Sequence, residues 1–140
     1  AKVRGARKLE RMLDGLPKRV EDDIQKAVTK GAHEIADAQR LLVPSDTGAL
    51  RDSIAVTPPG GRTPSYSQPG GARVVGRLEA VVTAGNSDVR YAHLVEYGTG
   101  GDSPTAAQPF FWPGYRLQRK RVSSRIRRET SKAIRKAAGL

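Results

Sequence analysis

Between Lys18 and Leu42 the chain sets Val20, Ile24, Val28, Ile35, Ala38 and Leu42 on one stripe of a helix. Glu21, Asp22, Lys26, Lys30, Glu34, Asp37 and Arg40 fall mostly off it. An amphipathic helix this long needs a second element to cover its apolar side. Acidic residues cluster in its first turns, where they suit the positive end of the helix dipole. Gly31 lies on or beside the stripe and permits close packing, at a cost of about 1 kcal/mol against alanine. Pro44 ends the helix, because the residue before a proline is pushed out of the α region.

The other segments are shorter or more polar. Residues 1–17 mix basic side chains with sparse apolar ones (Val3, Leu9, Met12, Leu13, Leu16) and read as a short helix or an arm that orders against a neighbour. After Pro44, Ser45 or Asp46 is placed to cap a single helical turn, and residues 53–57 alternate like a strand. Residues 57–73 read TPPGGRTPSYSQPGGAR, which predicts a long mobile loop that orders on docking to a partner. Val74–Ala84 predicts a strand, and Tyr91–Tyr97 a short strand or helical turn. From near Pro113 to Ala138 runs a strongly basic helix with a narrow apolar stripe of Val122, Ile126, Ala133 and Ala137. The expected fold class is α+β, with the long N-terminal helix and the basic C-terminal helix packed on a small, mainly antiparallel sheet. At 140 residues, one domain is expected. Its parts are an arm over 1–17, a body over 18–114 and a terminal helix over 115–138.

Charge is unevenly spread. Residues 1–19 hold seven basic and two acidic side chains, residues 115–140 ten and one, and residues 20–114 eight and eleven. A slightly acidic body with two basic ends suggests that the ends meet polyanions or acidic protein surfaces. The chain has no cysteine, which removes disulfides, Cys-ligated zinc and thiol catalysis. No apolar run approaches the roughly 20 residues that span a bilayer, so no membrane partner is expected. No secretory h-region is seen, and assembly in the cytoplasm is expected.

Enzyme-like motifs fail on context. Asp46-Thr47-Gly48 matches the aspartic-protease signature, with Val74-Val75-Gly76-Arg77 as a second motif. In those enzymes the aspartate follows a buried strand, whereas Asp46 follows a helix and Pro44-Ser45. His33 has no second histidine at helical spacing, and His93 stands alone. The glycine pairs fit neither a P-loop nor a dinucleotide fingerprint. No enzyme, metal or cofactor is expected.

Three segments remain: Leu42-Val43-Pro44-Ser45-Asp46-Thr47-Gly48-Ala49-Leu50-Arg51-Asp52-Ser53-Ile54, Tyr91-Ala92-His93-Leu94-Val95-Glu96-Tyr97-Gly98-Thr99, and Gln108-Pro109-Phe110-Phe111-Trp112-Pro113. Their order, followed by a terminal helix, resembles the head–tail joining or tail-completion proteins of long-tailed phages. It is similar to the minor tail component family of HK-type lambdoid phages, also found in prophages and gene transfer agents. The likeness runs from about residue 20 to 138. It implies a small α+β virion subunit that joins a homo-oligomeric ring, sixfold favoured over twelvefold, in the neck or at the top of the tail. Neighbouring neck or connector proteins, the tail tube protein and genomic DNA passing through the channel are the implied partners. The long Pro/Gly insertion and Trp112, where a smaller apolar residue is more usual, depart from the family.

The motif residues also have physical readings. Asp46 and Thr47 are expected to cap the turn and Gly48 to allow close backbone approach. Leu50 and Ile54 are expected in the core, and Arg51 and Glu96 as a charge pair. Three aromatics in a row cannot all point inward from one short segment, so Phe111 and Trp112, with Tyr66 of the loop, are candidate interface anchors. The alternative is that the three rings staple the last helix to the sheet. Arg116, Arg119, Lys120, Arg121, Arg125, Arg127, Arg128, Lys132, Arg135 and Lys136 of the terminal helix are candidate contacts for DNA phosphates or an acidic partner. A non-specific nucleic-acid-binding protein is the rival reading. The acidic middle, and the lack of aromatics among the basic residues of the terminal helix, fit it less well.

Overall fold

The computed structural model of the chain describes residue 11 and residues 14–44 and 48–139. Helix α1 spans Lys18–Leu42 and helix α2 Gly48–Asp52. Strands β1 (Ala55–Thr57) and β2 (Val81–Thr83) follow, then helix α3 (Ala92–Tyr97) and helix α4 (Phe111–Ala137). The architecture is α+β, two long helices beside a two-stranded antiparallel sheet paired Ala55 to Thr83, Val56 to Val82 and Thr57 to Val81. α1 stops where Val43, ahead of Pro44, takes extended backbone angles. The expected cap from Ser45 or Asp46, and most of the 1–17 segment, lie outside the described residues.

α1 and α4 pack antiparallel, and glycines set their spacing. A Cβ on Gly31 would sit 2.6 Å from Val122 Cγ1. One on Gly114 would sit 2.5 Å from Gln39 Cγ and 2.8 Å from the Gln39 Cα and backbone N. Ala27, Gly31, Ala32, Ala36 and Ala38 of α1 are all buried, together with Val20, Ile24 and Gln39. Leu42, expected on the buried stripe, is more than a third exposed, and Leu41 is 87% exposed.

Two apolar clusters result. The larger joins Ala36 and Val43 of the α1 end, Leu50 and Ile54, the sheet edge, Val89, Ala92, Phe110 and Phe111. The smaller holds Val20, Ile24 and Ala133, with Leu16, Val28 and Leu78 against it.

The middle of the chain departs from expectation twice. The predicted strand Val74–Ala84 is interrupted by a turn at Arg77-Leu78, and only Val81–Thr83 is regular strand. The reason is tertiary. Arg77 reaches Asp14 at 3.0 Å and Glu21 at 3.3 Å, its carbonyl accepts from Gln25 Nε2, and Leu78 enters the smaller cluster. Glu79 closes the turn by accepting the Gly76 amide at 2.7 Å. The segment 57–73, expected to order only on a partner, is hydrogen-bonded within the chain. Thr63 pairs with Arg73 through backbone and hydroxyl, Gln68 and Ala84 exchange both backbone bonds, and Thr63 and Ser67 are buried.

Alanine has the higher helix propensity, yet Gly114→Ala is expected to destabilise the protein by about 1–3 kcal/mol, because the new methyl meets α1 backbone. Urea unfolding checks this, and a variant as stable as the parent contradicts the close contact.

Candidate functional site

The three segments singled out in the sequence meet in the larger cluster. Val43, Leu50 and Ile54 come from the first, Ala92 and Val95 from the second, and Phe110, Phe111 and Trp112 from the third. Ser53 ties the first to the turn after β2: its hydroxyl donates to the Leu50 carbonyl at 2.6 Å and accepts the Gly85 amide at 2.9 Å. Asp46 and Thr47 lie outside the described residues. Pro44 is half-buried. Gly48 is exposed with open space where a Cβ would point, which corrects the expected close approach.

Glu96 does not pair with Arg51. Its carboxylate is buried at the start of α4 and accepts the amides of Phe110 at 2.9 Å and Phe111 at 2.8 Å through one oxygen. The Trp112 amide approaches the other oxygen at 3.4 Å. Pro113, next in the turn, has no N–H, so one carboxylate serves every amide of that turn that lacks a helical acceptor. Arg51 instead donates from Nε to the Arg40 carbonyl at 3.3 Å, and Arg40 donates to the Ile54 carbonyl at 2.8 Å. The sequence held one signal of this: Gln108-Pro109-Phe110 supplies no Ser, Thr, Asp or Asn to cap a helix that plainly begins there.

The rest of the second segment frames that carboxylate. Tyr91 precedes α3, and Ala92 is buried. Gly98 ends α3 at φ 77°, and a Cβ there would meet the Thr105 carbonyl oxygen at 2.7 Å. Thr99 closes the following loop by pairing with Thr105 through backbone and hydroxyl. Val95 accepts the Gln108 amide at 2.8 Å, which sets exposed Pro109 ahead of the helix.

Phe110 and Phe111 are both buried, which removes Phe111 from the candidate interface. Trp112 is half-buried, donates from Nε1 to the Tyr97 hydroxyl at 2.8 Å and stands edge-on to Tyr115. Tyr97 is 67% exposed, so Tyr97, Trp112 and Tyr115 form a continuous aromatic surface. Sequence reasoning missed Tyr97 and Tyr115. Tyr66 stands at φ 63°, exposed, under the guanidinium of Arg90 at 3.8 Å.

Nine of the ten basic candidates on α4 are exposed. Arg125 is the exception. It is largely covered, its Nη1 pairs with Glu34 of α1 at 2.6 Å, and it is a pin between the helices rather than a free cation. Its hydrogen bond to Glu34 holds that carboxyl below the usual carboxylate range, against an opposing effect of burial. Among the described residues no cluster of His, Asp and Glu is arranged to hold a metal, and no helix is long and apolar enough to cross a membrane. His33 and His93 are both exposed.

Because the Glu34 carboxyl is more acidic in the fold than its ordinary value of 4.5, its contribution is complete above that pH and is lost as pH falls through the folded value. The melting temperature is expected to drop on acidification below about pH 4.5, and to drop less in Glu34→Gln. Parallel curves for the two proteins contradict the pairing.

Comparison with known proteins adds one match. Searches among curated proteins and among solved structures gave no match. A family model matches residues 7–98, which takes in the first of the three segments, the second up to Gly98, α1 and the sheet. The chain belongs to the bacteriophage HK97-gp10-like family, to whose members the role of tail component is ascribed.

Proposed function

We propose that this chain is a structural subunit at the head–tail junction of a long-tailed phage or phage-like particle, of the tail-completion or tail-terminator type. The subunits form a closed ring, sixfold favoured over twelvefold, in which one surface meets a different surface of the neighbour. The ring joins head to tail and lets DNA pass. It contacts neighbouring neck or connector proteins and the tail tube protein, and acts in the virion after assembly in the host cytoplasm. Family membership over residues 7–98 carries this reading.

The surface of the molecule is in keeping with it. Tyr97, Trp112 and Tyr115 offer amphipathic rings of the kind that anchor subunit contacts, held at the end of α3 and the start of α4. A head-completion stopper is the near alternative within the particle. A non-specific nucleic-acid-binding protein is the alternative outside it, and the exposed cations of α4 favour that one.

A stop codon early in the gene of the parent phage or prophage tests the proposal by electron microscopy of lysates. DNA-filled heads beside free tails of normal length, or overlong tails, are the expected outcomes for a joining or terminating subunit. Emptied heads indicate the stopper. Intact infectious particles contradict the proposal.

A further inference from the structure

We infer that the C-terminal half of α4, with the neighbouring edge of α1, binds the phosphate backbone of duplex DNA without reading its sequence. Arg127, Arg128, Lys132, Arg135 and Lys136 line one shallow concavity on the outer side of the last turns of α4. Lys132 and Lys136 also line the cleft between the helices, where they meet Lys26 and Lys30 of α1. The result is one band of seven cations drawn from two helices. All seven are exposed, and none has an ion-pair partner among the described residues. Asp23 and Glu129 lie in the same cleft and Asp22 lines the adjoining hollow with Lys26 and Lys30, so seven cations against three carboxylates leave a surplus of four.

The surroundings choose among polyanions. An acidic protein partner calls for an apolar centre to the contact, and this band has almost none. Of the large apolar side chains exposed in this half of α4, only Ile134 is present, at 49%. The aromatic surface and Leu117 lie toward the other end of the helix. A single strand calls for rings on which bases stack, and the band offers none. What remains suits a duplex backbone. Arg128, Lys132 and Lys136 follow one another at four-residue steps of about 6 Å along the helix axis. Projected on the duplex axis, the phosphates of one strand rise by about 3.4 Å each, so the spacing of these cations is close to two such rises. Contacts of this kind position a protein on DNA and carry no sequence information. Arg125, paired to Glu34, takes no part.

The inference is tested by fluorescence anisotropy, with two labelled duplexes of about 20 base pairs and unrelated sequence, titrated between about 50 and 200 mM salt. Both duplexes are expected to bind alike and to weaken steeply as salt rises. Arg128→Gln with Lys132→Gln is expected to weaken binding at least tenfold at low salt and to flatten the log–log salt slope by about two. Arg116→Gln with Arg119→Gln, at the far end of α4, is expected to leave the slope near the parent value. Circular dichroism and thermal unfolding confirm that both variants fold. No binding at low salt, a slope unchanged by the Arg128/Lys132 pair, or displacement of the duplex by polyglutamate at equal charge overturns the inference, the last pointing to an acidic protein instead. The binding result and the particle phenotype are independent. A head–tail defect in a protein that ignores DNA sinks only this inference, and DNA binding with intact particles sinks only the junction role.

Discussion

The carboxylate of Glu96 is the contact on which most of the arrangement rests. It reaches across 14 residues of sequence to take the first amides of α4. A buried carboxylate is expensive unless its oxygens are bonded. Here the helix terminus supplies both the hydrogen bonds and the favourable end of a dipole. By fixing where α4 begins, Glu96 sends Phe110 and Phe111 into the core and leaves Trp112 at its rim. It also aims the long basic helix back along α1.

From that start α4 presents different sides to the fold and to solvent. One line of it, through Gly114, Val122 and Ala133, lies against α1 so closely that an added methyl collides with Gln39 at Gly114 and with Val122 at Gly31. Glu34 and Arg125 fasten the middle. The opposite side is bare cation over most of its length. Such a surface repels itself and adds nothing to folding. Aromatic rings at one end and unpaired cations at the other give α4 two distinct faces toward the outside. The proposed subunit contact and the inferred DNA contact occupy these separately.

Much of this was legible in the chain. Periodicity located α1 and α4, Pro44 located the break between the first two helices, and Leu50 and Ile54 were expected in the core as apolar residues of the first motif. What could not be read depended on partners distant in sequence. The expected strand from Val74 to Ala84 has the right residue types, but Arg77 is drawn to Asp14 and Glu21, and the chain turns to follow it. The Pro/Gly segment looks unable to order itself because its own turns are anchored by bonds to Val75 and Ala84, which lie outside it. Glu96 looked like a partner for Arg51 because opposite charges are the visible cue, whereas an uncapped helix terminus is visible only once the helix start is known. Phe111 looked surplus to a short segment, yet a helix beginning at that residue turns it and Phe110 into the same core.

The proposed function needs a scaffold that holds two surfaces in fixed relation, and in this fold the start of α4 does the fixing. Amide hydrogen exchange at Phe110, Phe111 and Trp112, compared between the parent protein and Glu96→Ala, tests this most directly. First-turn amides of a helix have no helical acceptor and exchange readily unless capped. Protection of Phe110 and Phe111 in the parent, lost by roughly tenfold or more in a variant that remains folded, is the result expected of a charged hydrogen-bond acceptor. Equal protection in both proteins would contradict the claim that this one carboxylate sets the helix in place.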